Sequence, residues 1–509
     1  MMLRLTCSTL AVIAMTAPAA FSLTAEEVWQ TWETYLTDSG YEIAIGSREG
    51  GGDTLVLKDV VLTAAPDETA TTTVTLPVIR MCQTGGADIR TEYPDGASFH
   101  FAGKSQQAGE TVAMTIEGRI DMAGLETISR EEGGHQVDTS TGPEVVVAVT
   151  GVTVGEDSLG AAPLTLTMRD LTSTSTFLGG LNTVSEGRIG GLTGVIDMVD
   201  PEATGTIKGQ VEMGEILVAA ETNFPAGHDS STAAALTEAL RAGAALTGKG
   251  SFASLAMKLE AAGDGVNGPQ DMAFDIGSGP GSIEFGLADG RLGYQADISD
   301  VNYDLAGGEI PFPVQIALGA VSTDLQFPLL ASEEAQPFKL AYSLDNLVLN
   351  DAIWGMIDQQ GVLPHDPATL DIDLTGELNI HQDLMTYAEQ AEAQGMAMDT
   401  PPLSPVALTL NQLALSALGA SIAANGAVSF PDPDNLDIAT GTLNAQFNGV
   451  NGLLDKLVQA GLIAPDQVQG ARMMLMMIAK PVDGQADALQ TTLEMKEDGS
   501  VFANGMQLK

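Results

Sequence analysis

Basic residues are scarce in this chain. Lys and Arg number 21 against 67 Asp and Glu, a formal net charge of −46 over 509 residues. A surface this negative repels nucleic acid and anionic lipid headgroups, so neither is expected as a direct partner. Cysteine is nearly absent, with Cys7 and Cys82 as the 2 in the chain. Cys7 lies in an N-terminal segment expected to be removed, which leaves Cys82 with no internal disulfide partner. Stability must then come from packing and not from staples. Cys82 ends the apolar stretch Pro77–Cys82 and reads as a small buried hydrophobe. Aromatics are 5% of the chain, with 3 Trp. That is thin material for the flat stacking platforms of a sugar cleft. Long hydrophobic runs are missing as well. The densest one, Met473–Ala479 between Arg472 and Lys480, is far too short to cross a bilayer. No transmembrane span is expected in the mature chain.

Catalytic signatures are equally sparse. Gly243 to Gly250 looks like a phosphate loop, but Gly250 stands where a Mg²⁺-binding Ser or Thr is needed, and the stretch follows a helix instead of opening one. Ser158 misses the nucleophile-elbow spacing. His100, His135, His228, His365 and His381 show no i, i+4 pairing and no metal-ligand spacing with cysteine. Carboxylate pairs occur at Glu131/Glu132, Glu333/Glu334 and Asp371/Asp373, and the last projects from the polar face of an alternating strand and reads as solvated. Asp432-Pro433-Asp434-Asn435 departs from a calcium loop and reads as a turn. No catalytic residue, no cofactor and no metal ligand is assigned.

What is present begins with an export signal. Arg4 gives a positive start, Leu10–Met15 a short apolar stretch, and small residues fit cleavage after Ala19 (Ala17/Ala19) or after Ser22 (Ala20/Ser22). Residues 1–22 are therefore expected to be a signal peptide, and the protein to be periplasmic or secreted. Thr24-Ala25-Glu26-Glu27 is a capping box, and Val28, Trp29, Trp32, Tyr35 and Leu36 recur at helical spacing.

Period-two alternation dominates the rest, as in Ile283/Phe285/Leu287, Phe338/Leu340/Tyr342/Leu344 and Leu370/Ile372/Leu374. Asp289-Gly290, Asn425-Gly426 and Asp498-Gly499 carry hairpin-turn chemistry. One pattern, apolar-x-apolar-x-polar/Gly-apolar, returns at Leu55–Val60, Leu166–Leu171, Ala296–Val301, Tyr342–Leu347, Leu408–Leu413 and Ala445–Val450. Apolar parity flips across it, which predicts a β-bulge at each copy. The spacing of the copies is irregular, which argues against a fixed-period solenoid. Helices are predicted over Ser231–Ala242, Asp351–Gln360, Gln382–Gln394, Asn451–Ala460 and Ala464–Lys480, the last with a Met-rich side expected to pack into the core.

The fold class is thus mainly β with minor α: a large twisted, bulged, mostly antiparallel sheet folded over an apolar interior, punctuated by short amphipathic helices. Residues 23–509 form one elongated β-rich body, with a subdivision into 23–225 and 226–509 left open.

Several stretches resemble a known family together. They are Ala25–Trp29, Pro311–Val314 with Phe327–Leu330, Ala352–Trp354, Leu363–Leu374 and Phe502–Met506. They are similar to a secreted alphaproteobacterial family of unknown function (a DUF family). More distantly, the bulged sheets and interspersed helices resemble AsmA-like envelope proteins, whose curved sheet carries an apolar groove. The chain lacks their membrane anchor. The resemblance implies a non-enzymatic periplasmic protein that binds a lipid-like or other apolar ligand, or assists envelope assembly, with a lipid or an envelope protein as partner. The alternative is a secreted hydrolase or carbohydrate-binding β protein, which needs convergent carboxylates and exposed aromatics in a cleft.

Overall fold

The computed structural model describes residues 23–509 except 68, 108–109, 156, 159–163, 200–204, 229–231, 266–267, 270, 309, 395–400, 433–435 and 437. The signal peptide expected over residues 1–22 and most of the acidic turn at 432–435 lie outside the described residues. The fold is mainly β with minor α, and it divides into two compact units, Met1–Ser231 and Thr232–Lys509.

The first unit opens with α1 (Ala25–Asp38). Thr24 caps it as its sequence requires: Glu27 N donates to Thr24 Oγ1 at 3.2 Å, and Thr24 N donates to Glu27 Oε2 at 2.8 Å. Strands β1 (Tyr41–Gly51), β2 (Thr54–Asp67), β3 (Ala70–Gln83), β4 (Ile89–Glu92), β5 (Ala97–Gln107), β6 (Glu110–Asp121), β7 (Glu126–Glu132), β8 (His135–Val154), β9 (Asp157–Ser158), β10 (Leu164–Gly179), β11 (Asn182–Val199), β12 (Thr206–Met213) and β13 (Ile216–Asn223) follow. Pairing is antiparallel throughout. β3 is long enough to pair with β4 and β5, and β8 with β7 and β6. The core lies under α1: Ala25, Val28 and Trp29, spaced i, i+3, i+4, bury against Leu55, Leu57, Val60, Ile79, Met81 and Ile89.

The second unit carries α2 (Ala233–Arg241), β14 (Ala245–Phe252), β15 (Leu255–Ala262), β16 (Asp264–Gly265), β17 (Gly268–Pro269), β18 (Met272–Ser278), β19 (Gly281–Ala288), β20 (Arg291–Gly307), β21 (Ile310–Pro328), β22 (Gln336–Leu349), α3 (Asp351–Ile357), β23 (Ala368–Ile380), α4 (Leu384–Gln394), β24 (Leu403–Ala417), β25 (Ala420–Ser429), β26 (Thr440–Asn448), α5 (Val450–Gln459), α6 (Pro465–Ile478), β27 (Lys480–Pro481), β28 (Ala488–Met495), β29 (Val501–Ala503) and β30 (Met506–Gln507). From β19 to β26 each strand pairs antiparallel with the next, and β26 then pairs with β28. Asp289-Gly290 makes the expected hairpin, with φ of 53° and 68°. Asn425-Gly426 does not turn. It lies inside β25, where a Cβ on Gly426 would strike the Thr442 carbonyl oxygen of β26. Glycine is there for close strand approach.

The six parity flips have three causes, and two of the copies, Tyr342–Leu347 and Leu408–Leu413, carry the expected bulge. At Leu408–Leu413 the β23–β24 register shifts between Asp373 and Leu374, as a bulge requires. At Ala445–Val450 the fifth residue is Gly449, left-handed at φ 69°, where β26 hands over to α5. At the other four copies the fifth residue, Asp59, Asp170, Asp300 or Asn346, is left-handed, with φ of 52–54°. The ladders β1–β2, β8–β10–β11 and β20–β21 run past Asp59, Asp170 and Asp300 with no extra residue, whereas β22 carries one extra residue against β23 between Leu344 and Leu347, beside Asn346. A glycine accommodates each one: Gly46, Gly190, Gly279 and Gly319, respectively. Asp and Asn tolerate this conformation better than other non-glycine residues. The turn of the backbone returns the following apolar residue to the same face, so that Leu55, Leu57 and Val60 all enter one core.

Proline sits where such a residue interrupts the ladder. Pro77 lies opposite Asp59 between the pairs Lys58–Val78 and Val60–Leu76, and Pro143 lies opposite Asp170 between Arg169–Glu144 and Leu171–Gly142. A residue without an N–H fits a place where the ladder does not ask for one.

Candidate functional site

The second unit's sheet has two chemically distinct faces. Register places Phe285, Tyr294, Leu325, Leu340, Leu374 and Leu410 side by side on consecutive strands β19 to β24. A parallel row runs Ile298, Val321, Leu344, Leu370, Leu415, Ile422, Phe447 and Leu489, across β20 to β28. The left-handed Asp300 and Asn346 extend this face along the strands, because Val301, Leu318 and Leu347 rejoin it. Neighbouring strands are about 4.8 Å apart, so six strands span roughly 24 Å of continuous apolar surface.

The opposite face is polar. There Glu284, Gln295 and Asp324 stand in register. Lys339 Nζ donates to Asp324 Oδ2 at 2.6 Å, and this bond raises the lysine pKa. A depression of about 410 Å³ lies at these strands, its lining including Gly248, Glu284, Phe285, Gly286, Tyr294 and Asp324.

Among the described residues the apolar face is only partly covered, with Val301 and Leu489 buried and many of its other side chains not. Among the described residues of β20 to β26, the buried hydrophobic side chains are Val301, Leu378 and Ile380, with Pro328 beside them. Leu340, Leu415 and Phe285 are 37%, 38% and 42% exposed. Of the helices, α3 packs on β21, α5 on β25 and α6, and α2 on α4. Arg241 of α2 is ion-paired with Asp383, which also accepts Ala331 N at 2.8 Å. A closed two-layer core would bury these leucines, and this unit does not.

Residues singled out in the sequence are scattered. His100 Nδ1 lies 3.4 Å from Glu117 on a strand surface, and His381 Nε2 is 2.9 Å from Ser404 Oγ. His365 stacks on Trp354 at 4.2 Å between ring centroids. His135 is exposed in the β7–β8 turn. Cys82 is half-buried in β3. Asp373 of the carboxylate pair accepts Asn411 Nδ2 at 2.9 Å. Among the described residues, no group of three or more His, Cys, Asp or Glu is gathered to hold a metal, and no helix is long and apolar enough to cross a membrane.

The Met-rich side of α6 corrects its expectation. Met473, Met474, Met476 and Met477 are exposed, and Val468 is the buried residue of the helix. Helical periodicity shows which residues share a stripe but not which stripe meets the sheet.

Residues 288–508 match the model of a family described as an uncharacterized protein conserved in bacteria (DUF2125). The matched segment starts at the β19–β20 hairpin and contains β20 to β28, most of the apolar face. No curated protein and no solved structure matches the chain.

Proposed function

We propose that this is a periplasmic, non-enzymatic binding protein whose second unit holds a lipid-like apolar chain along the partly covered face of β19 to β26. The observation that carries the reading is the register itself: leucine, isoleucine, valine and phenylalanine stand in continuous rows on one face, and few of them are buried. Covering that face with an acyl chain contributes about 0.8 kcal/mol per buried CH₂. The strongly acidic composition favours capture through the apolar portion over capture through an anionic headgroup. Periplasmic residence is supported by Arg4, the apolar Leu10–Met15 and the small residues that follow. The resemblance to AsmA-like envelope proteins agrees with the same reading.

A role in envelope assembly is favoured by one observation of its own, the exposed methionines of α6. Flexible thioether side chains suit adaptable protein contacts. A sugar-binding or hydrolytic role gains less support. Trp29 is buried, Trp32 is bonded to Asp138 and Trp354 is stacked on His365, so none forms an open platform for a sugar ring.

Native mass spectrometry of the mature protein purified from periplasm, followed by solvent extraction, tests the binding. The expected result is a co-purifying lipid at defined stoichiometry that is lost in the double variant Leu340→Gln, Leu415→Gln. A clean apo mass, with no uptake from phosphatidylethanolamine vesicles, overturns the reading.

A further inference from the structure

A second apolar space lies in the first unit, between α1 and the sheet. It measures about 260 Å³, and its walls include Trp29, Trp32, Tyr35, Tyr93, Ile79 and Phe177. Its lining contains no Lys or Arg. Polar atoms crowd just behind it. Trp32 Nε1 donates to Asp138 Oδ2 at 2.6 Å, and Gln136 Nε2 donates to Asp138 Oδ1 at 3.0 Å.

The packing here is incomplete in a specific way. Trp29 is 2% exposed, yet its Nε1 has no hydrogen-bond acceptor. Thr91 Oγ1 and Gln136 Oε1, on the adjoining β4 and β8, are buried and unpartnered as well. Ser129 faces Asp138 directly across the β7–β8 ladder, and Thr91 faces Thr127. Buried polar atoms without partners are uncommon, and three in one neighbourhood ask for something that supplies hydrogen bonds. An indole N–H can only donate, so Trp29 asks for an acceptor.

We propose that this pocket binds an uncharged amphiphile, with its apolar portion among the aromatic rings and an ester or amide carbonyl accepting from Trp29 Nε1. A free carboxylate is the wrong head for this site. It would enter a low-dielectric space with no cation in the lining and with the Asp138 carboxyl behind the Trp32 wall. The pocket belongs wholly to the first unit and is independent of the face proposed for the second.

Tryptophan fluorescence reads this site alone once Trp354 is removed, because the chain has 3 Trp and the other two line the pocket. The full mature protein carrying Trp354→Phe is titrated with 1-monocaprin, an uncharged ester, and with decanoate, its anionic counterpart, both below their micelle-forming concentrations. The expected result is a saturable emission change with monocaprin at a Kd at least tenfold below that of decanoate. Asp138→Asn is expected to narrow that gap by improving decanoate alone. Trp29→Phe is expected to weaken monocaprin about tenfold. Leu76→Phe, which fills the pocket, abolishes the change; circular dichroism reports whether it folds, and Leu76→Met is the milder variant. Lipid held on the second unit would leave this emission unmoved. No saturable change, equal affinity for the two probes, or unaltered monocaprin binding in Trp29→Phe overturns the proposal.

Discussion

Asp59 of β2 and Gly46 of β1 face each other across the ladder, and a Cβ added to Gly46 would lie 2.9 Å from the Asp59 Cβ. Asp59 can take its left-handed φ of 52° inside a strand because the neighbouring strand is bare at that point. The same relation joins Asp170 with Gly190, also at 2.9 Å, and Asn346 with Gly319 at 3.1 Å. At Asp59 and Asp170 the next apolar residue is re-aimed without lengthening either strand.

Gly46→Ala should therefore destabilise the first unit by about 1–3 kcal/mol through overpacking. Asp59→Asn should stay within about 0.5 kcal/mol, because Asn also accepts the left-handed region. Asp59→Val should cost about 1–2 kcal/mol or more from backbone strain alone. Denaturant unfolding followed by Trp29 and Trp32 emission, in a Trp354→Phe background, measures all three. Equal tolerance of Asn and Val would remove the conformational argument.

Asp138 should make the first unit sensitive to pH. Burial raises its pKa above the ordinary 3.8, opposed by hydrogen bonds from Ser129, Trp32 and Gln136. The folded state thus holds the proton more tightly than the unfolded state, and stability falls as pH rises through the raised value. Asp138→Asn keeps an acceptor for Trp32, and the unpartnered Gln136 Oε1 can meet the new amide. The variant should unfold at higher temperature than wild type at pH 7, with the difference closing as pH falls through the raised pKa. A difference that stays constant with pH would show that the carboxyl is not penalised by burial.

Asp358 should behave with the opposite sign. Burial pushes its pKa up, but backbone N–H groups of Leu363, Val362 and Gly361, with His365 nearby, hold it below the ordinary carboxylate range. Leu363 N donates to Asp358 Oδ2 at 2.6 Å, which pins the turn after α3. This contribution is present above the unfolded pKa and is lost as pH falls through the lowered folded one. Asp358→Ala should lower the unfolding temperature of the second unit at pH 7, and the loss should shrink in acid. Calorimetry between pH 2 and pH 7 distinguishes this from a loss that does not titrate.

Much of this architecture is legible in the sequence for simple reasons. Strand alternation states which face of β19 to β26 is apolar, and the capping box at Thr24 and Glu27 states where α1 starts. What stays hidden is what depends on a second chain segment. A single strand cannot show that Asp59 has Gly46 for a neighbour, so its parity flip reads as a bulge. Asn425-Gly426 reads as a turn because the approach of β26 is invisible locally. Asp138 alternates with its neighbours like any strand residue. Only the fold brings Trp32, 106 positions away, to its carboxyl. The methionines of α6 have the composition of a core, and nothing in the chain says that their side faces outward.

The open face of the second unit makes its own energetic prediction. Leu378 on β23 is buried at 5% exposure, whereas Leu340 on the adjacent β22 is 37% exposed. Leu378→Ala should cost about 2–5 kcal/mol, the range for a buried leucine that leaves a cavity. Leu340→Ala should cost under about 1 kcal/mol in lipid-free protein, because water already reaches that side chain. The contrast should reverse in meaning when an apolar ligand is supplied. A ligand that binds only the folded state stabilises it in proportion to RT ln(1 + [L]/Kd). The wild type should then gain stability that Leu340→Ala does not share, while Leu378→Ala should gain as much as wild type. Chemical denaturation with and without phosphatidylethanolamine vesicles measures both differences. If Leu340→Ala costs as much as Leu378→Ala in lipid-free protein, the face is already covered and has no room for a ligand.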